Sequence, residues 1–289
     1  MGKSKANNLP MVLLYMLILA IVAGCAPAFF RTNPQLQEKV PSIKTVAIMP
    51  PGVKVYQLTV GGGTQLMDEE TVAVTQMVAA AIEKELGRHA GVVFKPFPSP
   101  SAILDTNSDP AQGEIRAELE DTQALFEAVS ASVLLHTYSR STWIRKYDSD
   151  QTFPEKLKNF DYSLGPEVQR LAKLANADAL LFTSGVDHIS TGGRKALMTV
   201  TTVISTAAFL FGGSQFGGSP FVWPEPGKTV LSVALVDPMT GALLWYNVGL
   251  GASLTYPEYA ADLAEQVFND FPLGERPTRV VPQDSKWRW

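Results

Sequence analysis

Cysteine is all but absent from this chain: one residue in 289, Cys25, carries a thiol. A lone cysteine excludes any intrachain disulfide, so an oxidising compartment is neither required nor excluded. Histidine is nearly as scarce, with three residues, His89, His136 and His188. They form no HExxH and no pair at metal-ligand spacing, so no metal and no cofactor is expected. The chain also lacks a GxSxG elbow, a GxGxxG turn, and a glycine loop leading into Lys-Ser/Thr. Positive charge is not in excess: 24 Lys+Arg stand against 28 Asp+Glu, a formal charge of -4. A nucleic-acid partner would need a basic face to neutralise phosphates, and none is expected here. What is present is globular in character, with 46% hydrophobic residues, 22 Gly and 20 Pro.

The N-terminus has three parts. Lys3 and Lys5 with the terminal amine form a positive region. Leu9 to Val22 is apolar, interrupted by Pro10, and shorter than the ~20 residues of a comfortable bilayer span. Ala23 and Gly24 are small residues before the cysteine. This is the pattern of a secretory signal. Val22-Ala23-Gly24-Cys25 resembles the lipobox of bacterial lipoproteins: an aliphatic residue, two small residues, then Cys. The resemblance implies cleavage between Gly24 and Cys25, and acylation of Cys25 with palmitate-type chains. A thiolate is nucleophilic enough to take such a group as a thioether, which a serine hydroxyl does poorly near neutral pH. Several chains anchor durably where one binds marginally. Ala26 is not Asp, which in the enterobacterial sorting pattern points to the periplasmic face of the outer membrane. The expected organisation is a signal peptide over 1–24, a lipidated Cys25 and Pro-containing tether over 25–41, a folded domain over 42–275, and a polar tail over 276–289, loosely ordered from Pro272 onward.

Within the domain, Ile43–Met49 reads as a buried strand closed by Pro50-Pro51-Gly52, and Val53–Val60 as a second strand broken by Gly61-Gly62-Gly63, a flexible turn. Asp68 is placed as an N-cap with Glu69 and Glu70 behind it, and Val74, Val78, Ile82 and Leu86 form a helical stripe stopped at Gly87. Val92–Phe94 is a short strand. Residues 112–136 and 154–176 read as helices, the second with an apolar face of Val168, Leu171, Ala172 and Ala175. Residues 177–187 read as a central strand. Thr229–Val236 and Ala242–Val248 flank Asp237-Pro238-Met239-Thr240-Gly241, a hairpin signal. Leu231, Val233 and Leu235 alternate with Ser232 and Ala234, which predicts one buried face. The last helix is marked by Thr255 and Glu258 at capping-box spacing, by Pro257 in its first turn, and by a stripe of Tyr259, Leu263, Val267 and Phe271.

This order predicts an α/β fold, a mixed-sheet sandwich following an N-terminal lipoprotein signal peptide. "ADALLFTSGVD", the strand pair around "SVALVDPMTGALLWYN" and the closing helix resemble the periplasmic lipoproteins related to the curli-secretion lipoprotein and to the TolB N-terminal domain. In that group a strand, "KTVAIMPP" here, opens the domain after the tether. The resemblance implies roles in envelope assembly, secretion and scaffolding, with no catalytic residues to carry over. Implied partners are membrane lipid through acylated Cys25, other envelope proteins, and further copies of the chain as a homo-oligomer. A monomeric adaptor for a periplasmic enzyme or the cell wall is the alternative.

One segment fits that group only in part. Ala196–Pro224 carries no charged residue. Leu197, Val200, Ile204 and Phe211 fall at helical spacing, and with Phe209 they are the candidate membrane- or partner-facing residues. A buried insertion on the sheet and a true membrane span are the other two readings, the latter short for a helix. For catalysis, Asp187-His188 at the exit of the central strand is the one neighbouring acid–imidazole pair. Adjacent strand residues point to opposite faces, so the expected context is a solvated loop rather than a catalytic dyad. Glu69, Glu70, Glu83 and Glu85 read as helix-surface acids. A non-enzymatic protein is expected.

Overall fold

A computed structural model describes residues 30–58, 63–98, 109–138, 159–190 and 228–275. Cys25, Gly24, Ala26, the signal region, the uncharged segment with Leu197, Val200, Ile204, Phe209 and Phe211, and residues 276–289 lie outside these. The described chain is an α/β sandwich around one mixed eight-stranded sheet. The strands are β1 (Arg31–Thr32), β2 (Thr45–Ile48), β3 (Gly52–Leu58), β4 (Thr64–Leu66), β5 (Val93–Pro96), β6 (Ala179–Ser190), β7 (Lys228–Val236) and β8 (Leu243–Ala252). The helices are α1 (Leu36–Lys39), α2 (Asp68–Leu86), α3 (Asp109–Val133, running into a π turn at Leu134–Tyr138), α4 (Val168–Ala175) and α5 (Pro257–Val267).

The sheet runs β1-β8-β7-β6-β2-β5, and β3 also pairs with β6. β6 is its spine. β2 and β3 lie parallel to successive halves of one edge of β6, at Ala179–Leu181 and at Ser184–Ser190, while β7 runs antiparallel along its other edge. Pro50-Pro51 between β2 and β3 ends the first pairing and lets the second begin, because proline supplies no N–H to a ladder. The β7–β8 hairpin turns as its sequence predicts. Asp237 Oδ2 accepts from the Thr240 hydroxyl at 2.7 Å, and Gly241 closes the turn at φ +69°.

Both faces of the sheet are covered. Leu231, Val233 and Leu235 pack with the α2 stripe (Val74, Val78, Ile82, Leu86) and with Leu263 and Val267 of α5. Ala234 and Val236 pack on the other side with Phe126 of α3 and the α4 face of Val168, Leu171, Ala172 and Ala175. The single buried face expected for β7 is therefore corrected: Ser232 and Ala234 are as buried as their apolar neighbours. A small side chain at those positions makes room for the α3–α4 layer.

Other boundaries shift for identifiable reasons. Residues 30–41, expected within the tether, are docked: Arg31 and Thr32 pair with Tyr246 and Trp245, and Leu36 is buried. Residues 154–158 of the helix expected over 154–176 lie outside the described residues; from 159 onward the helix begins only at Val168, because 162–164 are held by the hairpin turn through Leu243 N–H to Tyr162 O and Leu164 N–H to Gly241 O. Asp68 is the first helical residue rather than the cap, a position taken by Met67. Thr255 does not form a capping box: Tyr256 caps α5, and the Thr255 hydroxyl bonds Ser253 instead. Tyr259 is exposed, and the α5 core face is Ala260, Leu263, Ala264 and Val267. The tail begins later than Pro272, since Leu273 is buried and Glu275 bridges Ala90. Glu85 is buried rather than on the helix surface, with Arg88 at 2.6 Å from its Oε2.

Candidate functional site

The three histidines are far apart in the fold, and each is engaged locally. His89 donates from Nδ1 to the Leu273 carbonyl at 3.0 Å and meets Phe271 edge-on, which ties the end of α2 to the residues after α5. His136 hydrogen-bonds the Tyr162 hydroxyl at 2.8 Å. His188 stacks over Tyr56 of β3 with ring centroids 6.0 Å apart. Among the described residues no three His, Cys, Asp or Glu converge as metal ligands.

Asp187 and His188 lie within β6, not in a solvated loop, and both are buried. They face opposite sides of the sheet, as strand geometry requires. The Asp187 carboxylate accepts three hydrogen bonds: from the Thr229 hydroxyl at 2.9 Å, the Ser253 hydroxyl at 2.8 Å, and the Leu254 N–H at 2.9 Å. Burial nevertheless holds its pKa above the ordinary 3.8, with those bonds and the His188 charge opposing. Burial lowers the His188 pKa below 6.5, and the Asp187 charge opposes this in turn. The arrangement anchors the turn that leads into α5.

On the other face of the sheet a cavity of about 120 Å³ lies between α3, β3, β6 and β7. Its polar lining is Lys54, Glu127, Ser130, Ser184 and Ser232. Lys54 Nζ sits 2.6 Å from Glu127 Oε2, a half-exposed pair of the kind that contributes about 0–1 kcal/mol. The Tyr246 hydroxyl donates to Ser232 Oγ at 2.8 Å, and burial pushes its pKa up to about 12, so it remains a neutral donor. Among the described hydrogen bonds none joins a lining serine to a base. The arrangement is a small polar niche between α3 and the sheet. Sequence reasoning missed this cluster. The available signal was Ser184 and Ser232, serines set next to apolar runs of β6 and β7.

No family model matches the chain. Over 87 residues it is 31% identical to a proline–tRNA ligase of Desulfovibrio desulfuricans, a stretch making 30% of this chain and 15% of that protein. The chain thus spans less than a sixth of that relative's length. Two solved structures of the PelC dodecamer from Paraburkholderia phytofirmans align with TM-scores of 0.29, at 12% and 11% identity. The alignments cover 81% and 80% of this chain and 89% of each neighbour. A likeness at that TM-score carries no functional argument.

Proposed function

We propose that this chain is a lipid-anchored protein on the periplasmic face of the outer membrane, a non-enzymatic component of a secretion or envelope-assembly system, working with other envelope proteins and with further copies of itself. The observation that carries the reading is Val22-Ala23-Gly24-Cys25 at the end of an apolar run that follows Lys3 and Lys5, with Cys25 the only cysteine in the chain. A thiol kept at that one position and nowhere else suits a site of S-acylation.

Metabolic labelling with a palmitate analogue tests the anchor. The wild-type chain takes the label and fractionates with the outer membrane, and Cys25→Ala takes none. Equal labelling of the two chains would refute the reading. Size analysis of detergent-extracted protein separates an assembly of several copies from a monomeric adaptor.

A further inference from the structure

The register of β1 shows where an N-terminal anchor leaves the fold. β1 is antiparallel to β8, with Arg31 opposite Tyr246 and Thr32 opposite Trp245. Moving back from Thr32 toward Phe30 therefore moves along β8 toward Ala252. That end of the sheet is shared by the C-terminal ends of β3, β6 and β8 and the N-terminal end of β7, because Leu58 pairs with Ser190 and His188 with Lys228, which pairs with Ala252. Phe30, just before β1, falls level with the middle of β8 and packs against the core. Only residues 26–29 separate it from Cys25. Whatever path they take, they span at most about 18 Å. β1 is directed so that the chain before it starts out toward this end of the sheet, and a lipid on Cys25 within that reach would bring this end to the bilayer.

The same end displays apolar side chains. Leu250 is 59% exposed near the end of β8, and Tyr256 and Tyr259 are 54% and 41% exposed at the start of α5, their rings edge to face at 5.7 Å. Leu66 of β4 and Val72 in the first turns of α2 are also exposed. Met67 N–H to Val55 O and Leu254 N–H to Asp187 place the two helix starts beside this end of the sheet. Tyrosine suits a membrane interface because its ring is apolar and its hydroxyl can stay wet. The accompanying charges choose the lipid. Asp68, Glu69 and Glu70 open α2 and Glu258 opens α5, which disfavours an anionic surface.

Resting on the reading of Cys25 as the lipid anchor, we infer that the end of the domain carrying Leu250, Tyr256 and Tyr259 is a second membrane contact, lying in the interface of a zwitterionic, phosphatidylethanolamine-rich leaflet. The anchor holds the chain on the membrane; this contact sets the orientation of the domain.

Acylation of Cys25 leaves the chain without a free thiol, so a single introduced cysteine can carry a nitroxide. Leu250→Cys, Tyr256→Cys and Tyr259→Cys replace exposed side chains, and Met239→Cys, in the turn at the opposite end, is the control. The full-length acylated protein is reconstituted into phosphatidylethanolamine/phosphatidylcholine vesicles, and nitroxide accessibility to oxygen and to a water-soluble nickel chelate is measured. The oxygen-to-nickel ratio rises several-fold at 250, 256 and 259 and stays at its aqueous value at 239. Aqueous values at all four positions, in protein that still floats with the vesicles, would overturn the contact while leaving the anchor intact. Protein that neither floats nor resists labelling in its wild-type form would overturn the anchor and the contact with it.

Discussion

The Leu254 N–H donates to Asp187 Oδ2 at 2.9 Å across 67 residues of sequence. With Ser253 Oγ and Thr229 Oγ1 it converts one buried carboxylate into the joint between β6, β7 and the turn that starts α5. Asp187→Ala leaves three buried donors without their acceptor, and should cost about 2–4 kcal/mol in urea unfolding. A loss under about 0.5 kcal/mol would show that water replaces the carboxylate.

The same residue should give stability a pH dependence of defined sign. Its folded pKa is raised above 3.8, chiefly by burial. Between 3.8 and that raised value the folded chain holds a proton that the unfolded chain has released. The contribution is therefore fully present below 3.8 and is lost as pH rises through the folded pKa. Urea midpoints measured across this window should show that decline in the wild type, and Asp187→Asn should remove it.

His188 works in the opposite direction. Its folded pKa is lowered below 6.5 by burial, with attraction from Asp187 opposing. Its contribution is fully present above 6.5 and is lost as pH falls through the folded value, where the unfolded ring gains a proton first. In Asp187→Asn the opposing attraction disappears, so the His188 ring should titrate at still lower pH. An NMR titration of its ring protons reads this directly; an upward move would show that the two groups are not coupled through charge.

These two residues also show what the sequence could reveal. Their placement on opposite faces follows from strand periodicity and holds in β6. Their burial does not follow, because Asp187 is covered by Thr229 and Ser253, which lie 42 and 66 residues away, and His188 is stacked on Tyr56 of another strand. Long single-period patterns were legible for the same local reason: the Val74–Leu86 stripe and the Asp237–Gly241 turn are where the chain places them. Short elements made by pairing were not. Two residues of β1 have no period of their own and exist only against Trp245 and Tyr246. The start of α4 is set by hydrogen bonds to a hairpin about 80 residues away. The polar niche was hidden because serine inside a strand looks solvent-facing until a second helical layer covers it.

Gly249 allows the close approach of α5 to β8. A Cβ there would lie 2.5 Å from Val267 Cγ1 and 2.7 Å from Leu263 Cδ1. Both contacts belong to core side chains of α5, so the helix must lift or the side chains must leave their rotamers. Gly249→Val should destabilise by roughly 1–3 kcal/mol. Gly251→Ala, with its nearest Leu263 atom at 3.3 Å, should cost less. Equal losses in thermal unfolding would mean that strand propensity, not packing against α5, dominates at both positions.

The last prediction concerns the connection between β6 and β7. His188 pairs with Lys228, so the strands entering and leaving residues 191–227 are already hydrogen-bonded neighbours in an antiparallel ladder. Replacing 191–227 by a glycine-containing turn of about four residues should close an ordinary hairpin without moving either strand. Halving the connection roughly three times also removes about 2 kcal/mol of loop-closure entropy. The shortened chain should therefore unfold cooperatively at or above the wild-type midpoint and still be acylated on Cys25. If the uncharged segment carries the assembly contacts, the shortened chain should also lose its oligomeric state in detergent. Failure of the shortened chain to fold would instead assign Leu197, Val200, Ile204, Phe209 and Phe211 to the core of the domain.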